Sequence, residues 1–208
     1  MQKTNYDLTM QKVAEANVGK TLLLHACCAP CSSSVIKKLA SYFALTIFYY
    51  NPNIDTQSEY EKRWEELDRL TAIYNGRNIS PWQIKLITTP YTPSEFEEVT
   101  KGYEACKEGG ERCHRCYALR LAKTYEMAKD SHFDFFCSTL SVSPYKNANL
   151  LNEIGLTLAQ SPDATAYLPN DFKKRDGYLE SIKMSRELQL YRQDYCGCVY
   201  SKHFQTDE

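Results

Sequence analysis

The 208-residue chain has no apolar run long enough to cross a membrane, and residues 1–20 lack the apolar stretch of a secretory signal. A cytoplasmic protein without a membrane partner is the expectation. Excess charge is also missing. Lys+Arg at 25 against Asp+Glu at 26 leave a formal net charge of -1, which excludes a wholly electrostatic nucleic-acid binder but leaves room for a local basic patch. No internal repeat, low-complexity tract or Pro/Gly/Ser-rich linker divides the chain. One domain over 1–208 is expected, with 1–19 as a polar N-terminal extension. There is no G-x-G-x-x-G fingerprint, so reducing equivalents for any redox reaction should come from outside.

What is present begins with composition. Hydrophobic residues at 43% and charged residues at 25% describe a folded chain. The apolar run Thr21–Ala26 reads as a buried strand, followed by a cysteine loop. Ser32, Ser33 and Ser34 then offer capping hydroxyls to a helix through Val35, Ile36 and Leu39. Ala44–Tyr50 is a second strand, stopped by the turn Asn51-Pro52-Asn53. A helix from about Ser58 to Tyr74 places Tyr60, Trp64, Leu67 and Leu70 at core spacing. A third strand fits Gln83–Ile87 and a fourth Phe133–Ser138. Helices are expected over Cys116–Lys129, with Leu119, Ala122 and Met127 facing the core, and over Ala148–Ala159 and Tyr178–Leu190. This alternation predicts an α/β fold, a three-layer sandwich with a mainly parallel sheet, whose chemistry lies beyond the carboxyl ends of the strands.

Nine cysteines are the unusual feature. In a reducing compartment, clustered thiols ligate metal or do redox chemistry more often than they form disulfides. His25-Ala-Cys-Cys-Ala-Pro-Cys31 puts three thiols within five positions at a strand exit. An adjacent Cys-Cys pair closes a relaxed disulfide poorly. Taken alone, the cluster leaves open a redox pair of Cys28 and Cys31 or a metal site. Cys113-His-Arg-Cys116 follows Gly109-Gly110 and could form half of a zinc site. Cys196-Gly-Cys198 places two thiols around a flexible residue. Seven thiols exceed the four that close one zinc site, which favours two metal centres, though a four-cysteine zinc site with three bystanders stays open. Cys137, inside an apolar strand, reads as core, and Cys106 as a loop bystander.

Together these motifs, with Tyr50-Asn-Pro-Asn-Ile54, Arg112-Cys-His-Arg-Cys-Tyr117, Arg120-Leu121, Ser143-Pro-Tyr-Lys146 and Tyr191-Arg-Gln-Asp-Tyr-Cys-Gly-Cys198, resemble the QueH-type epoxyqueuosine reductases. The resemblance runs from about Leu22 to Ser201. It implies a fold related to the adenine-nucleotide α-hydrolases and the reductive removal of the epoxide oxygen of epoxyqueuosine in a tRNA anticodon loop. It further implies a [4Fe-4S] cluster on Cys27, Cys28, Cys113 and Cys116, and one additional iron ion on Cys196 and Cys198 together with Cys31. Relatives of this fold that bind nucleotide carry a Gly-rich loop after the first strand. Here Cys27–Ser34 contains no glycine, which speaks against an ATP pocket, although the three serines could hold a phosphate.

Leaving an alkene from an epoxide takes two electrons and two protons. The expectation is that the single iron polarises the oxygen, so that Cys31, Cys196 and Cys198 serve catalysis, while the cluster relays electrons from an external donor. The proton donor is not readable, and His25 has an equally good structural role in its strand. For the tRNA, Lys173, Lys174, Arg175 and Arg192 are candidate phosphate contacts, and Tyr145 and Lys146 candidate pocket residues. A zinc-stabilised RNA-binding module and an ATP-dependent tRNA sulfur-transfer enzyme are the rival readings.

Overall fold

The computed structural model describes residues 4–161 and 164–202. Five parallel strands form its centre: β1 (Thr21–His25), β2 (Ala44–Tyr49), β3 (Lys85–Thr88), β4 (Phe135–Ser138) and β5 (Ala166–Tyr167), in the order β3-β2-β1-β4-β5. In register, His25 lies opposite Phe48 on one side and Ser138 on the other. Near-continuous burial of Leu22, Leu23, Leu24, Ile47, Phe48 and Phe136 explains why these strands read as apolar runs rather than alternating ones.

The helices fall on both faces because parallel neighbours need right-handed crossovers. On one face α2 (Ala29–Leu39) packs against α3 (Gln57–Gly76) and α7 (Gly177–Glu187). On the other, α5 (Glu111–Asp130) packs against α4 (Pro93–Thr100) and α6 (Ala148–Leu158). This is the expected layered α/β architecture. The strand order reverses at β1, so the crevice beyond the ends of β1 and β4 is a topological switch point, the usual place for a ligand in such sheets. The first cysteine loop opens there.

Several elements differ from the sequence reading. The two-residue β5 and the eight-residue α4 carry too little periodicity to announce themselves. Within the polar stretch at the start, α1 (Tyr6–Ala16) buries Met10 and Ala14 in the main core and is capped by Asn5, whose Oδ1 accepts the Leu8 amide. The serines do not cap α2. That helix already starts at Ala29, with Cys28 at its cap and Pro30 in its first turn, so the serines lie inside it. Their hydroxyls are buried on the carbonyls of Cys28, Pro30 and Gly177, which also ends their candidacy as a phosphate cradle.

On α3 the buried stripe is Tyr60, Arg63, Leu67, Leu70 and Tyr74, and Trp64 faces solvent. An arginine takes the position expected for the tryptophan because polar partners wait for it inside. The same rotation occurs on α5, where Cys116, Tyr117, Arg120, Leu121, Thr124 and Ala128 point inward and Leu119, Ala122 and Met127 are only half-buried.

Close packing between α6 and β5 depends on Gly155, where an added Cβ would lie 2.3 Å from the Tyr167 ring. Replacing Gly155 with Ala should therefore cost about 1–3 kcal/mol through overpacking, read as a lowered midpoint in thermal or urea unfolding.

Candidate metal centre

The site is built from three segments that the sheet brings to one end. The first is the loop after β1. Extended backbone at Cys28 (φ -170°) lets the chain turn straight into α2, and the helix then returns Cys31 beside the two preceding thiols. The sulfurs of Cys27, Cys28 and Cys31 all lie within 4.8 Å of one another, and Cys27 Sγ is 3.7 Å from Cys28 Sγ. A tetrahedral metal with sulfur ligands at about 2.3 Å requires sulfur–sulfur edges of about 3.7–3.8 Å, which the Cys27–Cys28 edge matches, and all three sulfurs are close enough to reach one metal ion. Cys27 Sγ is also 3.7 Å from Thr139 Oγ1, in the turn after β4. Hydrogen bonds from the Cys28 and Cys31 thiols hold Cys27 well below the ordinary thiol range. The bond to Cys27 pushes Cys28 up to about 12 against the opposing pull of Cys31, and the bonds to Cys27 and Cys28 raise Cys31 well above the ordinary thiol range.

The second segment is the start of α5. That helix begins at Glu111, earlier than expected, so Cys113 and Cys116 both sit in its first two turns. The third is Cys196-Gly197-Cys198. Cys116 and Cys198 share a small apolar cluster with Phe96. Burial raises the Cys113 thiol, and negative charge on Cys196 and Cys198 raises it further. Cys116 is pushed up to about 12 by burial, against the pull of Arg120 and with Cys196 adding to the rise. The sulfurs of Cys27, Cys28 and Cys31 lie together, Cys116 and Cys198 meet in the cluster with Phe96, and Cys27 and Cys196 both act on Lys146. Cys137 is core, and Cys106 lies in a half-buried turn.

Three arginines surround the thiols, each 2% exposed or less. The Arg120 guanidinium donates to Asn51 Oδ1 (2.5 Å), its Nε lies 3.3 Å from His25 Nε2, and its Nη1 lies 4.0 Å from Cys116 Sγ. Asn51 in turn donates to the Ala26 carbonyl at 2.9 Å. The Tyr50-Asn-Pro-Asn-Ile54 turn thus ties the first cysteine loop to α5. His25 is fully buried, with Nδ1 2.8 Å from Ser138 Oγ and Nε2 3.0 Å from the Tyr50 carbonyl. Burial first, then Arg120, lowers its pKa to about 3, so the ring is a neutral structural hinge between β1 and β4. Arg112 clamps the 103–106 loop through the carbonyls of Tyr103, Glu104 and Cys106 and lies over the Tyr200 ring. Arg63 donates to Glu59 (2.6 Å) and to the Cys196 carbonyl (3.3 Å). These arginines and the Asn51 link are buried neighbours of the thiols that motif reading had left without roles. Their signal was present, since all but Arg63 stand inside the quoted motifs.

The candidate tRNA contacts do not form one patch. Lys146, Lys173 and Lys174 line an open cleft of about 360 Å³, together with Asn147, Asn149 and Asp171. Lys173 is engaged there, donating to the Lys146 carbonyl at 3.0 Å and lying 3.5 Å from Asp171. Lys146 has no carboxylate partner among the described residues. Burial alone would lower its pKa, but the Cys196 and Cys27 thiols hold it above the usual lysine range. Tyr145 stands beside it, 78% exposed. Arg175 is occupied by Asp7 (2.8 Å) and Gln11, tying α1 to the body, and exposed Arg192 lies over the Tyr178 ring. No helix among the described residues is long and apolar enough to cross a membrane.

A layered parallel α/β fold with seven thiols, buried arginines and a basic cleft at one end of the sheet defines a metal-binding protein of the α/β class. The sequence profile described as "Epoxyqueuosine reductase QueH" matches residues 22–204. Among curated relatives, proteins named Epoxyqueuosine reductase QueH from Streptococcus pyogenes and Thermotoga maritima are 37% and 35% identical; the matches cover 98% and 87% of this chain, and 80% and 90% of those proteins. The chain belongs to the epoxyqueuosine reductase QueH family. Its fold is shared with the U34-tRNA thiolase NcsA from Methanococcus maripaludis, solved with its [4Fe-4S] cluster, at a TM-score of 0.53 and 14% identity over 93% of this chain and 67% of that one.

Gly197 holds the third cysteine pair at a φ of +123°, and a Cβ there would lie 3.1 Å from Arg63 Nη1 and 3.3 Å from Asn53 Nδ2. A Gly197→Ala variant should lose about 1–2 kcal/mol of stability from the backbone alone. It should also retain less metal per chain, checked by thermal melting and elemental analysis.

Proposed function

We propose that this protein reduces epoxyqueuosine to queuosine in the anticodon loop of tRNA, with Cys27, Cys28, Cys31, Cys113, Cys116, Cys196 and Cys198 holding its metal groups. The observation that carries the reading is the match to the reductase family over 22–204, within which all seven cysteines fall. The donor sets suit two groups. Cys27, Cys28, Cys113 and Cys116 would hold a [4Fe-4S] cluster, and Cys196 and Cys198 with Cys31 would hold one iron, three thiolates that leave a coordination position free. When bound, these groups supply single electrons and Lewis acidity at the epoxide oxygen. The electrons come from an external one-electron donor, since the net change consumes two electrons and two protons and releases water.

The chain's own residues do the rest. Buried Arg112 and Arg120 offset thiolate charge in a setting where an unpaired ion costs several kcal/mol. His25, with both ring nitrogens engaged, keeps the ends of β1 and β4 together and does not deliver a proton. Lys146 brings a positive charge to the place where the cleft meets the thiols. Lys173 and Lys174 favour backbone phosphate in the same cleft, and exposed Tyr145 offers a face for a splayed base. Arg175, spent on Asp7, holds α1 in place.

The test uses protein purified without oxygen, tRNA carrying epoxyqueuosine and a low-potential one-electron reductant, with nucleosides quantified after digestion. Conversion to queuosine, with about four sulfides and more than four irons per chain, is expected. Zinc alone, with no sulfide after reconstitution and no product, overturns the reading in favour of a zinc-stabilised RNA-binding module. Added salt should weaken tRNA binding. Lys174→Ala should flatten the logarithmic salt slope by about 0.7–0.9 for each phosphate it no longer neutralises.

A further inference from the structure

The segment between Tyr50 and Ile54 and the buried face of α3 meet at the third cysteine pair, and they leave two polar groups unmatched. Arg63 is 2% exposed. Its Nε is paired with Glu59, its Nη1 donates to the Cys196 carbonyl, and its Nη2 has no hydrogen-bond partner among the described residues. Asn53 is also buried, with Oδ1 unpartnered in the same sense. Both residues border Gly197, whose carbonyl accepts the Asp55 amide at 2.9 Å, and Tyr195 lies with its ring 5.1 Å from the Arg63 guanidinium. A buried donor left unmatched is costly, so a site that keeps one has a use for it. Arg63 also occupies a core position on α3 where an apolar residue would pack without this cost.

We infer that Arg63 is a positioning residue of the metal centre, which holds the Cys196-Gly197-Cys198 turn through Nη1 and presents its charge and its free Nη2 donor to the thiolate-bound group. The inference rests on the cofactor reading above. A cation and a hydrogen-bond donor beside a sulfur-ligated metal stabilise the state with more negative charge, which is the reduced one. Arg63 would therefore raise the reduction potential of the centre, and Glu59, by its carboxylate, would moderate that effect. Asn53 shares the pocket and keeps the turn close.

The experiment compares wild type, Arg63→Gln, Arg63→Lys and Glu59→Gln, each purified without oxygen. Iron and sulfide per chain and the midpoint potential from a spectroscopically monitored redox titration are the readouts. Arg63→Gln that retains its metal should shift the midpoint to a more negative value, and Arg63→Lys should restore part of the shift. Glu59→Gln, which keeps the guanidinium and removes its counter-charge, should shift it the other way. Metal-loaded Arg63→Gln and Glu59→Gln with the wild-type potential would overturn the inference and leave Arg63 as a structural anchor whose Nη2 is served by a buried water. If Arg63→Gln fails to hold metal, Glu59→Gln decides alone, and an unchanged potential there has the same meaning. A wild-type protein that takes up no iron and sulfide would instead overturn the cofactor reading itself.

Discussion

Bringing several thiolates together inside a protein sets negative charges against one another in a medium that solvates them poorly, and most of this structure answers that burden. Removing a charge from water costs several kcal/mol even after relaxation, and like charges at short range add to it. Arg63, Arg112 and Arg120 are buried almost completely around the cysteines, each fixed by carbonyls, an amide or a carboxylate rather than by solvent. Buried arginine is itself costly, so cations and thiolates justify one another. Removing either set would strand the other.

The fold supplies the convergence. A parallel sheet whose order reverses at β1 leaves a crevice beyond the ends of β1 and β4, and the first cysteine loop occupies it. α5 returns over the opposite face and delivers Cys113 and Cys116 from its first two turns. The third pair, near the end of the described chain, is drawn in by Arg63 and by the Asp55 amide on the Gly197 carbonyl. The Asn-Pro-Asn turn is the common joint. Asn51 reaches Ala26 and Arg120, and Asn53 borders Gly197. A motif without a titratable or nucleophilic group thus spans the first and third cysteine segments.

The basic cleft adjoins this centre. Lys146 belongs to the cleft and feels the thiols, whereas Arg175 is consumed by Asp7 in fastening α1. Neighbouring positions in one Lys-Lys-Arg run therefore have unlike tasks, because backbone direction after β5 turns Lys173 toward Asp171 and Arg175 toward α1.

By itself the sequence determined the alternation of strands and helices, the parallel sheet and the seven cysteines, because these depend on local apolar runs, turn residues and spacing. Motif order made the family legible from the same residues. Only tertiary structure decided which thiols lie together, since Cys31 is returned to Cys27 and Cys28 by a helix whose start at Ala29 was hidden by a serine run resembling a cap. It also decided that Arg63 is buried and Trp64 exposed. Helical spacing allows either to face inward, and the choice fell to partners distant in the chain, the Cys196 carbonyl above all. The short strand β5 was equally out of reach, because two residues hold a place in a sheet only through their neighbours.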